Sequence, residues 1–113
     1  MSESKPIVYL YGFSTLLEDK LINLIKIIEN HLKIKRAVSF VFLHDGVIGI
    51  SQKGKFSSAL MRLLELPMNF YALLPDLNAR GIDINNLRNK IKGINYDDLV
   101  DILASTPKIV SWM

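Results

Sequence analysis

The sequence predicts an α/β fold in which a mostly parallel five-stranded sheet lies between two layers of helices. Short apolar runs alternate with amphipathic stretches along the chain, and this alternation favours parallel strands joined by helical crossovers. The run Phe40-Val41-Phe42-Leu43 has no polar face, so a strand made from it must be covered on both sides. With 113 residues and 50% hydrophobic content, residues 1–113 suit a single domain with one core.

The first strand, helix and second strand are predicted over residues 7–43. Residues 7–11 are apolar and are closed by Gly12, which predicts a buried strand. Thr15 and Glu18 fit the capping box that starts a helix, and apolar side chains then recur at helical spacing over residues 16–32. The predicted packing face consists of Leu17, Leu21, Leu24, Ile25, Ile28 and Leu32. The cations Lys33, Lys35 and Arg36 follow near the negative end of the helix dipole, and residues 37–43 form the second strand.

The tripeptide His44-Asp45-Gly46 leaves two interpretations open. Asp-Gly between apolar runs is a strong hairpin signal, which would pair residues 47–50 back onto the second strand. Against the hairpin, the preceding run does not alternate, and Gly49 weakens a partner strand. We favour a loop that leads into a helix.

The rest of the chain continues the alternation. A helical face after Gly54 is predicted from Phe56, Ala59, Leu60, Leu63 and Leu64. A third strand is predicted over residues 68–74, a short helix from Pro75 to Arg80 with Gly81 left-handed after it, and a strand over residues 91–94. A last helix, with Tyr96, Leu99, Val100 and Leu103 on one face, precedes a last strand over residues 108–113. Phe40, Phe42, Phe70 and Tyr71 are predicted core residues.

Composition excludes several chemistries. The chain has no cysteine, so disulfides, thiolate metal sites, thiol nucleophiles and a persulfide on this chain are excluded. His31 and His44 are not spaced with carboxylates as metal ligands, no glycine-rich phosphate loop is present, and Ser57 and Ser58 lack a nucleophile-elbow context. We therefore expect no catalytic residues, no metal and no cofactor. The N-terminus lacks secretory signal features and no run is long enough to cross a membrane, so we expect a cytoplasmic protein.

Four motifs along the C-terminal two-thirds, taken together in order, are typical of a known family. They are His44-Asp45-Gly46-Val47, then Phe70-Tyr71-Ala72-Leu73 with Asp76-Leu77 and Ala79-Arg80-Gly81, then Tyr96-Asp97-Asp98-Leu99-Val100, and finally Ile109-Val110-Ser111-Trp112. In order and spacing they resemble the DsrH/TusB family, although that family usually has Gln where this chain has His44. The resemblance favours the parallel strand and helix over the hairpin.

The resemblance implies a DsrE/DsrF/DsrH-type three-layer fold and a cytoplasmic sulfur-relay role. It implies assembly with DsrE-type (TusD) and DsrF-type (TusC) subunits, which pass persulfide sulfur toward tRNA wobble-uridine thiolation or sulfur oxidation. Some DsrH-type chains carry a cysteine in the loop after the first strand, but residues 12–15 have none here. The resemblance therefore implies a non-catalytic docking subunit that interacts with tRNA only indirectly, if at all.

The candidate partner- or ligand-binding residues are His44, Asp45, Gly46, Asp76, Arg80 and Trp112. His44 either contacts a partner or, with Asp45, only caps the next helix while Gly46 supplies a positive φ. Asp76 and Arg80 lie one helical turn apart, so they either form an ion pair or face a partner. Trp112 near the last strand's end suggests a subunit contact at a sheet edge.

Two other functions stay open from the residues. One is a homo-oligomeric module that binds a small ligand or RNA through Lys33, Lys35, Arg36, Lys53 and Lys55, consistent with the net charge of +3. The other is an enzyme that uses His44 with Asp45, which has the least support.

Overall fold

The structure, a computed structural model, describes residues 5–34 and 36–113. The strands are β1 Ile7–Tyr11, β2 Val38–Phe42, β3 Asn69–Leu73, β4 Ile91–Ile94 and β5 Lys108–Trp112. The α-helices are α1 Glu18–Lys33, α2 Ser58–Leu64, α3 Leu74–Ala79 and α4 Tyr96–Ser105. Two 3₁₀ turns, His44–Val47 and Ile84–Asn86, complete the described elements. Residues 1–4, on which the expectation about the N-terminus falls, and Lys35 lie outside the described residues.

The five strands form one parallel sheet in the order β4-β3-β2-β1-β5. The prediction of a mostly parallel sheet is confirmed, and every pair in it is parallel. Each step from β1 to β4 adds the next strand on one side, and the last crossover returns across the sheet to place β5 beside β1. The hairpin interpretation is wrong, because His44–Val47 forms a 3₁₀ turn and the neighbours of β2 in the sheet are β1 and β3.

Helices α1 and α2 cover one face of the sheet over the larger core. Leu21, Leu24, Ile25 and Ile28 of α1 are fully buried, as their helical spacing predicts. They pack with the predicted aromatic core, in which the rings of Phe40 and Phe42 lie 4.8 Å apart between centroids and Phe70 stacks beside them. The alternating inward residues of three neighbouring strands thus build one apolar layer.

Helix α4 covers the opposite face over a smaller core. Its Leu99 packs with Val8 and Val41 of the sheet, and Ile102 and Leu103 join at the rim. The predicted α4 face is only half right, because Tyr96 and Val100 are 57% and 59% exposed. Tyr71, predicted as core, lies half-buried on this thinner side. Helices on both faces confirm the three-layer fold.

The capping box predicted from Thr15 and Glu18 is wrong. Helix α1 begins at Glu18, with Leu17 as its N-cap and no side-chain cap. Thr15 is buried and its Oγ1 donates to the Ile48 carbonyl at 2.6 Å. Glu18 accepts instead from the Ser58 hydroxyl and the Ala59 N–H at the start of α2, and Leu17 is exposed. Both polar groups hold the neighbouring elements rather than their own helix.

Helix α2 begins later than its apolar pattern predicts. Its N-cap is Ser57, whose Oγ accepts from Leu60 N–H and donates to the Thr15 carbonyl. Phe56, predicted on the packing face, precedes the helix and is 53% exposed. The other four predicted positions, Ala59, Leu60, Leu63 and Leu64, are buried. Gly81 is left-handed with φ 67°, as predicted.

His31 lies at the far end of α1, where it contacts the core. The Tyr9 hydroxyl oxygen lies 2.5 Å from its Nδ1, and the two share a hydrogen bond. Desolvation lowers the pKa of His31 from its ordinary 6.5, and the positive charges of Arg36 and Lys108 lower it further. The imidazole therefore stays neutral as the pH falls below its ordinary pKa.

Among the described residues, no helix is long and apolar enough to span a bilayer.

His31 should make the folding stability depend on pH. Below pH 6.5 the unfolded chain binds a proton that the folded chain, with its lowered pKa, does not. The free energy of unfolding should therefore fall as the pH drops from 6.5 through the lowered pKa. Above pH 6.5 the titration of His31 should not change the free energy of unfolding. Urea unfolding at a series of pH values measures this slope.

The variant His31→Gln should flatten the slope, because it removes the titrating group. His44→Gln, which replaces the other histidine, should leave this contribution in place. An unchanged slope in His31→Gln would contradict the assignment.

Candidate functional site

The parallel sheet brings the chain segments after β2 and β3 together where the strands end at their carboxyl termini, which we call the carboxyl edge of the sheet. These strands are neighbours with Phe42 opposite Ala72, so the segments that follow them leave the sheet side by side. The His44 N–H donates to Asp76 Oδ2 at 2.8 Å, although 32 residues separate the two. Parallel pairing is therefore what assembles this site, at the edge where open α/β sheets usually bind ligands.

Asp76 and Arg80 tie the two segments together with charge. Asp76 is only 9% exposed. The Arg80 Nη1 lies 3.7 Å from its Oδ1, so of the two alternatives left open by the sequence the structure contains the ion pair. Arg80 Nη2 also lies 3.0 Å from Asp45 Oδ1. The guanidinium thus bridges a nearly buried carboxylate and an exposed one, and joins α3 to the turn after β2.

The sequence did not reveal the contacts from His44 and Asp45 to α3. The usable signal was that polar residues follow the ends of two strands predicted to be consecutive and parallel. Helical spacing finds Asp76 with Arg80, but only the strand order brings both to Asp45.

His44 has a left-handed backbone, with φ 51°, whereas a positive φ was predicted for Gly46. That prediction is wrong. Gly46 is buried because it packs against the end of β1: a Cβ built on it would lie 2.1 Å from the Tyr11 carbonyl oxygen. The same oxygen accepts from Leu43 N–H at 3.1 Å. Glycine is needed here for close approach of two backbones, and the conformational strain falls on His44.

The His44 side chain is exposed, and within the described residues its imidazole forms no hydrogen-bonded pair with a carboxylate. Within residues 5–34 and 36–113, its imidazole has no hydrogen-bond partner, and the Asp45 carboxylate is held by Arg80. Asp76 accepts from the backbone of His44 rather than from its ring. The helix-capping role considered for His44 and Asp45 is also wrong, because α2 is capped by Ser57 and the 3₁₀ turn has no side-chain cap.

Trp112 lies at the same edge but outside this cluster. It ends β5 opposite Tyr11, and its carbonyl accepts from Gly12 N–H at 2.8 Å. Because β1 separates β5 from β2, Trp112 is two strands away from His44, about 10 Å. Its ring is half-buried on the α1 side of an edge strand. It therefore belongs to a separate part of the surface.

The basic residues considered for RNA binding do not form one patch. Lys33 ends α1 and Arg36 precedes β2, at the amino edge of the sheet. Lys53 and Lys55 lie between the 3₁₀ turn and α2, on the carboxyl edge. Lys35 lies outside the described residues. In the part of the chain that the structure describes, no group of three or more metal-binding side chains is present either.

The side chains of the loop after β1 pack against, and hydrogen-bond to, neighbouring elements of the fold. The Lys20 ammonium lies 4.4 Å from the centroid of the Phe13 ring, which also packs edge-on against Tyr11. Thr15 is bonded through its hydroxyl to Ile48 and through its carbonyl to Ser57. This loop therefore connects β1, the 3₁₀ turn segment and α2.

A protein-family model described as "DsrH like protein" matches residues 17–109. The chain belongs to the DsrH family. The resemblance predicted from the ordered motifs is confirmed, and the match covers α1 through the start of β5. Membership in the DsrH family assigns the chain, in general terms, to the subunits of sulfur relay.

Curated relatives carry the name TusB. The chain is 32% identical over 74 residues to protein TusB of Pectobacterium atrosepticum, an alignment that covers 66% of this chain and 74% of that protein. It is 31% identical over 72 residues to protein TusB of Erwinia tasmaniensis, covering 64% and 72% respectively.

Solved structures support the fold. The ychN protein from E. coli superposes with a TM-score of 0.75 at 16% identity, covering 96% of this chain and 99% of that one. A protein of unknown function from Methanobacterium thermoautotrophicum gives a TM-score of 0.71 at 14% identity, with the same coverage of 96% and 99%. At these identities the likeness concerns the fold alone.

Gly46→Ala should destabilise the fold strongly. The new methyl group would meet the Tyr11 carbonyl of β1, and neither backbone can withdraw without breaking the Leu43 N–H bond. We expect a loss of about 3 kcal/mol or more in the free energy of unfolding, measured by urea denaturation.

Gly54→Ala is the matched control. Gly54 has φ 85°, but no atom lies within 4 Å of the position that an alanine methyl group would take there, so only the backbone conformation costs energy, about 1–2 kcal/mol. If Gly46→Ala were no more destabilising than Gly54→Ala, close packing at Gly46 would be refuted.

Proposed function

We propose that this chain is a non-catalytic docking subunit of a cytoplasmic sulfur-relay complex. In that complex, persulfide sulfur is passed between the cysteines of partner subunits. The partners are DsrE-type (TusD) and DsrF-type (TusC) chains. The observation that carries the proposal is the combination of DsrH family membership with a sequence that contains no cysteine.

The chemistry of the relay explains why a chain without cysteine must act through contacts. In each transfer a thiolate attacks the outer sulfur of a persulfide, a new S–S bond forms, the old one breaks, and the donor leaves as a thiolate. Donor and acceptor each need a cysteine, and the exchange needs no outside oxidant. A chain with none holds or orients the subunits that exchange sulfur.

The corner formed by His44, Asp45, Asp76 and Arg80 supports a docking role for this edge of the sheet. The Arg80–Asp45 ion pair and the bond from His44 N–H to Asp76 hold the turn after β2 on the α3 segment, within which Arg80 also pairs with Asp76. The imidazole is left exposed and unpaired in the described part of the chain, and it can donate to or accept from a partner. A rigid base with one free polar group favours specific contact.

Trp112 supports a second contact on the same side of the molecule. Within the described residues β5 pairs with β1 alone, so its other edge has unpaired backbone groups there. Large half-exposed aromatic side chains are enriched at protein interfaces. We propose that Trp112 contacts a partner subunit independently of the corner.

RNA binding by this chain has less support than docking. An RNA site needs cations that follow a backbone. Of the described cations considered for it, Lys33 and Arg36 lie at the opposite edge of the sheet from Lys53 and Lys55. We therefore propose that this chain does not itself bind tRNA. This holds if the relay leads to wobble-uridine thiolation, where tRNA would be bound by other subunits, and equally if it leads to sulfur oxidation.

Co-expression with the cysteine-bearing DsrE-type and DsrF-type chains of the same genome tests the proposal. The tagged chain should retain both through size-exclusion chromatography. His44→Gly should weaken the complex at least about tenfold, because it removes the exposed imidazole, while relieving a left-handed residue and leaving the free energy of unfolding equal or higher.

Asn30→Gly and Lys26→Ala on the exposed face of α1 serve as controls that should bind normally. Elution of the tagged chain alone would contradict the docking role. Normal binding by His44→Gly would remove His44 from the interface.

A further inference from the structure

An open groove lies beside the corner on the carboxyl edge of the sheet. It has a volume of about 280 Å³ and is lined by the aliphatic side chains of Leu16, Ile48 and Ile82 and by the cations Lys53, Lys55 and Arg80. Leu16 and Lys55 also line an adjoining depression of about 590 Å³ that reaches Phe56. The two share a wall and form one continuous surface, which we call the basic groove.

Two of the cations that line the basic groove are lysines without an ion-pair partner among the described residues. Lys53 and Lys55 are exposed, and neither ammonium has an ion-pair partner in the described parts of the chain. Arg80 is paired with Asp45 and Asp76. Glu18, a carboxylate that lines the adjoining depression, accepts hydrogen bonds from Ser58 and Ala59 at the start of α2, and within the described residues it forms no ion pair with either lysine. Two ammonium groups are thus left for an external anion.

The walls of the basic groove are apolar and open to solvent. Leu16 is 39% exposed and Phe56 is more than half exposed. The Arg88 guanidinium lies 4.8 Å from the centroid of the Phe56 ring and holds that ring at the surface. Apolar side chains grouped around a concave surface with charges at the rim are typical of a site for another protein chain.

The floor of the basic groove is held in place from two sides. The Ile48 carbonyl accepts from the Thr15 hydroxyl, and Gln52 is bonded through its backbone N–H to Asn86 and through its amide to Leu87. Gly49, at φ 91°, makes the turn between them. The site therefore needs little ordering before it binds, which favours affinity.

We infer that the basic groove binds an acidic, amphipathic segment of a partner protein, with carboxylates on Lys53 and Lys55 and an aliphatic or aromatic side chain between Leu16 and Phe56. The inference rests on the proposed function for the partner's identity, but not for the binding chemistry. Charge complementarity selects carboxylates, and the aliphatic wall between the cations selects a polypeptide over a phosphate backbone.

A titration of the whole protein with a synthetic peptide tests the inference. The probe is a 12-residue peptide of alternating glutamate and leucine with one central phenylalanine, followed by backbone amide NMR shifts. The shifts should concentrate at Gly49, Lys53 and Lys55 and should weaken as salt rises. The double variant K53E/K55E should lose at least about tenfold in affinity.

K26E/K33E is the matched control, because it makes the same change in net charge on exposed residues of α1. It should bind the peptide normally. Shifts absent from the groove, or equal losses in both double variants, would overturn the inference. So would inorganic phosphate or a uridine oligonucleotide that produced the same groove shifts at lower concentration than the peptide.

The peptide result is independent of the relay. Peptide binding at the groove with no co-purifying DsrE-type or DsrF-type subunit would contradict the proposed function and leave the groove's chemistry intact. A stable complex that is unaffected by K53E/K55E would overturn the groove as the partner's site and leave the docking role standing.

Discussion

The bond from the His44 N–H to the Asp76 carboxylate is the constraint on which the carboxyl edge depends. It joins the segments that follow β2 and β3, and it holds His44 at φ 51°, a conformation that a non-glycine residue adopts at a cost. A hydrogen bond to a charged acceptor contributes about 1.5–3 kcal/mol, which is enough to offset that cost. Arg80 then completes the corner by neutralising the acceptor.

The order of elements was predictable because it follows from apolar periodicity, which depends on local sequence alone. Contacts between elements were not. Thr15-x-x-Glu18 and Asn95-x-x-Asp98 have the same spacing, yet only Asn95 and Asp98 form a capping box. Thr15 and Glu18 bind Ile48 and the start of α2 instead. Since tertiary partners compete for these polar groups, the local pattern does not decide between the two outcomes.

In the candidate site, too, local features were predictable from the sequence and contacts between separate elements were not. Helical spacing offered the Asp76–Arg80 pair as one of two alternatives, and the family motif marked His44, Asp45 and Gly46. The reason for Gly46 lies in the Tyr11 carbonyl of a different strand, which no local pattern contains. The basic groove was missed because Leu16, Lys53 and Ile82 come from three separate loops. A fold in which parallel strands end together makes such residues neighbours.

Amide hydrogen exchange at His44 tests the central constraint most directly. The residue is exposed at a turn, so without the Asp76 bond its N–H would exchange at nearly the rate of an unstructured peptide. With the carboxylate accepting at 2.8 Å, the N–H should be protected to an extent comparable with the neighbouring ends of β2, and Asp76→Ala should abolish that protection. Exchange at the unstructured rate in the unaltered protein would contradict the described corner.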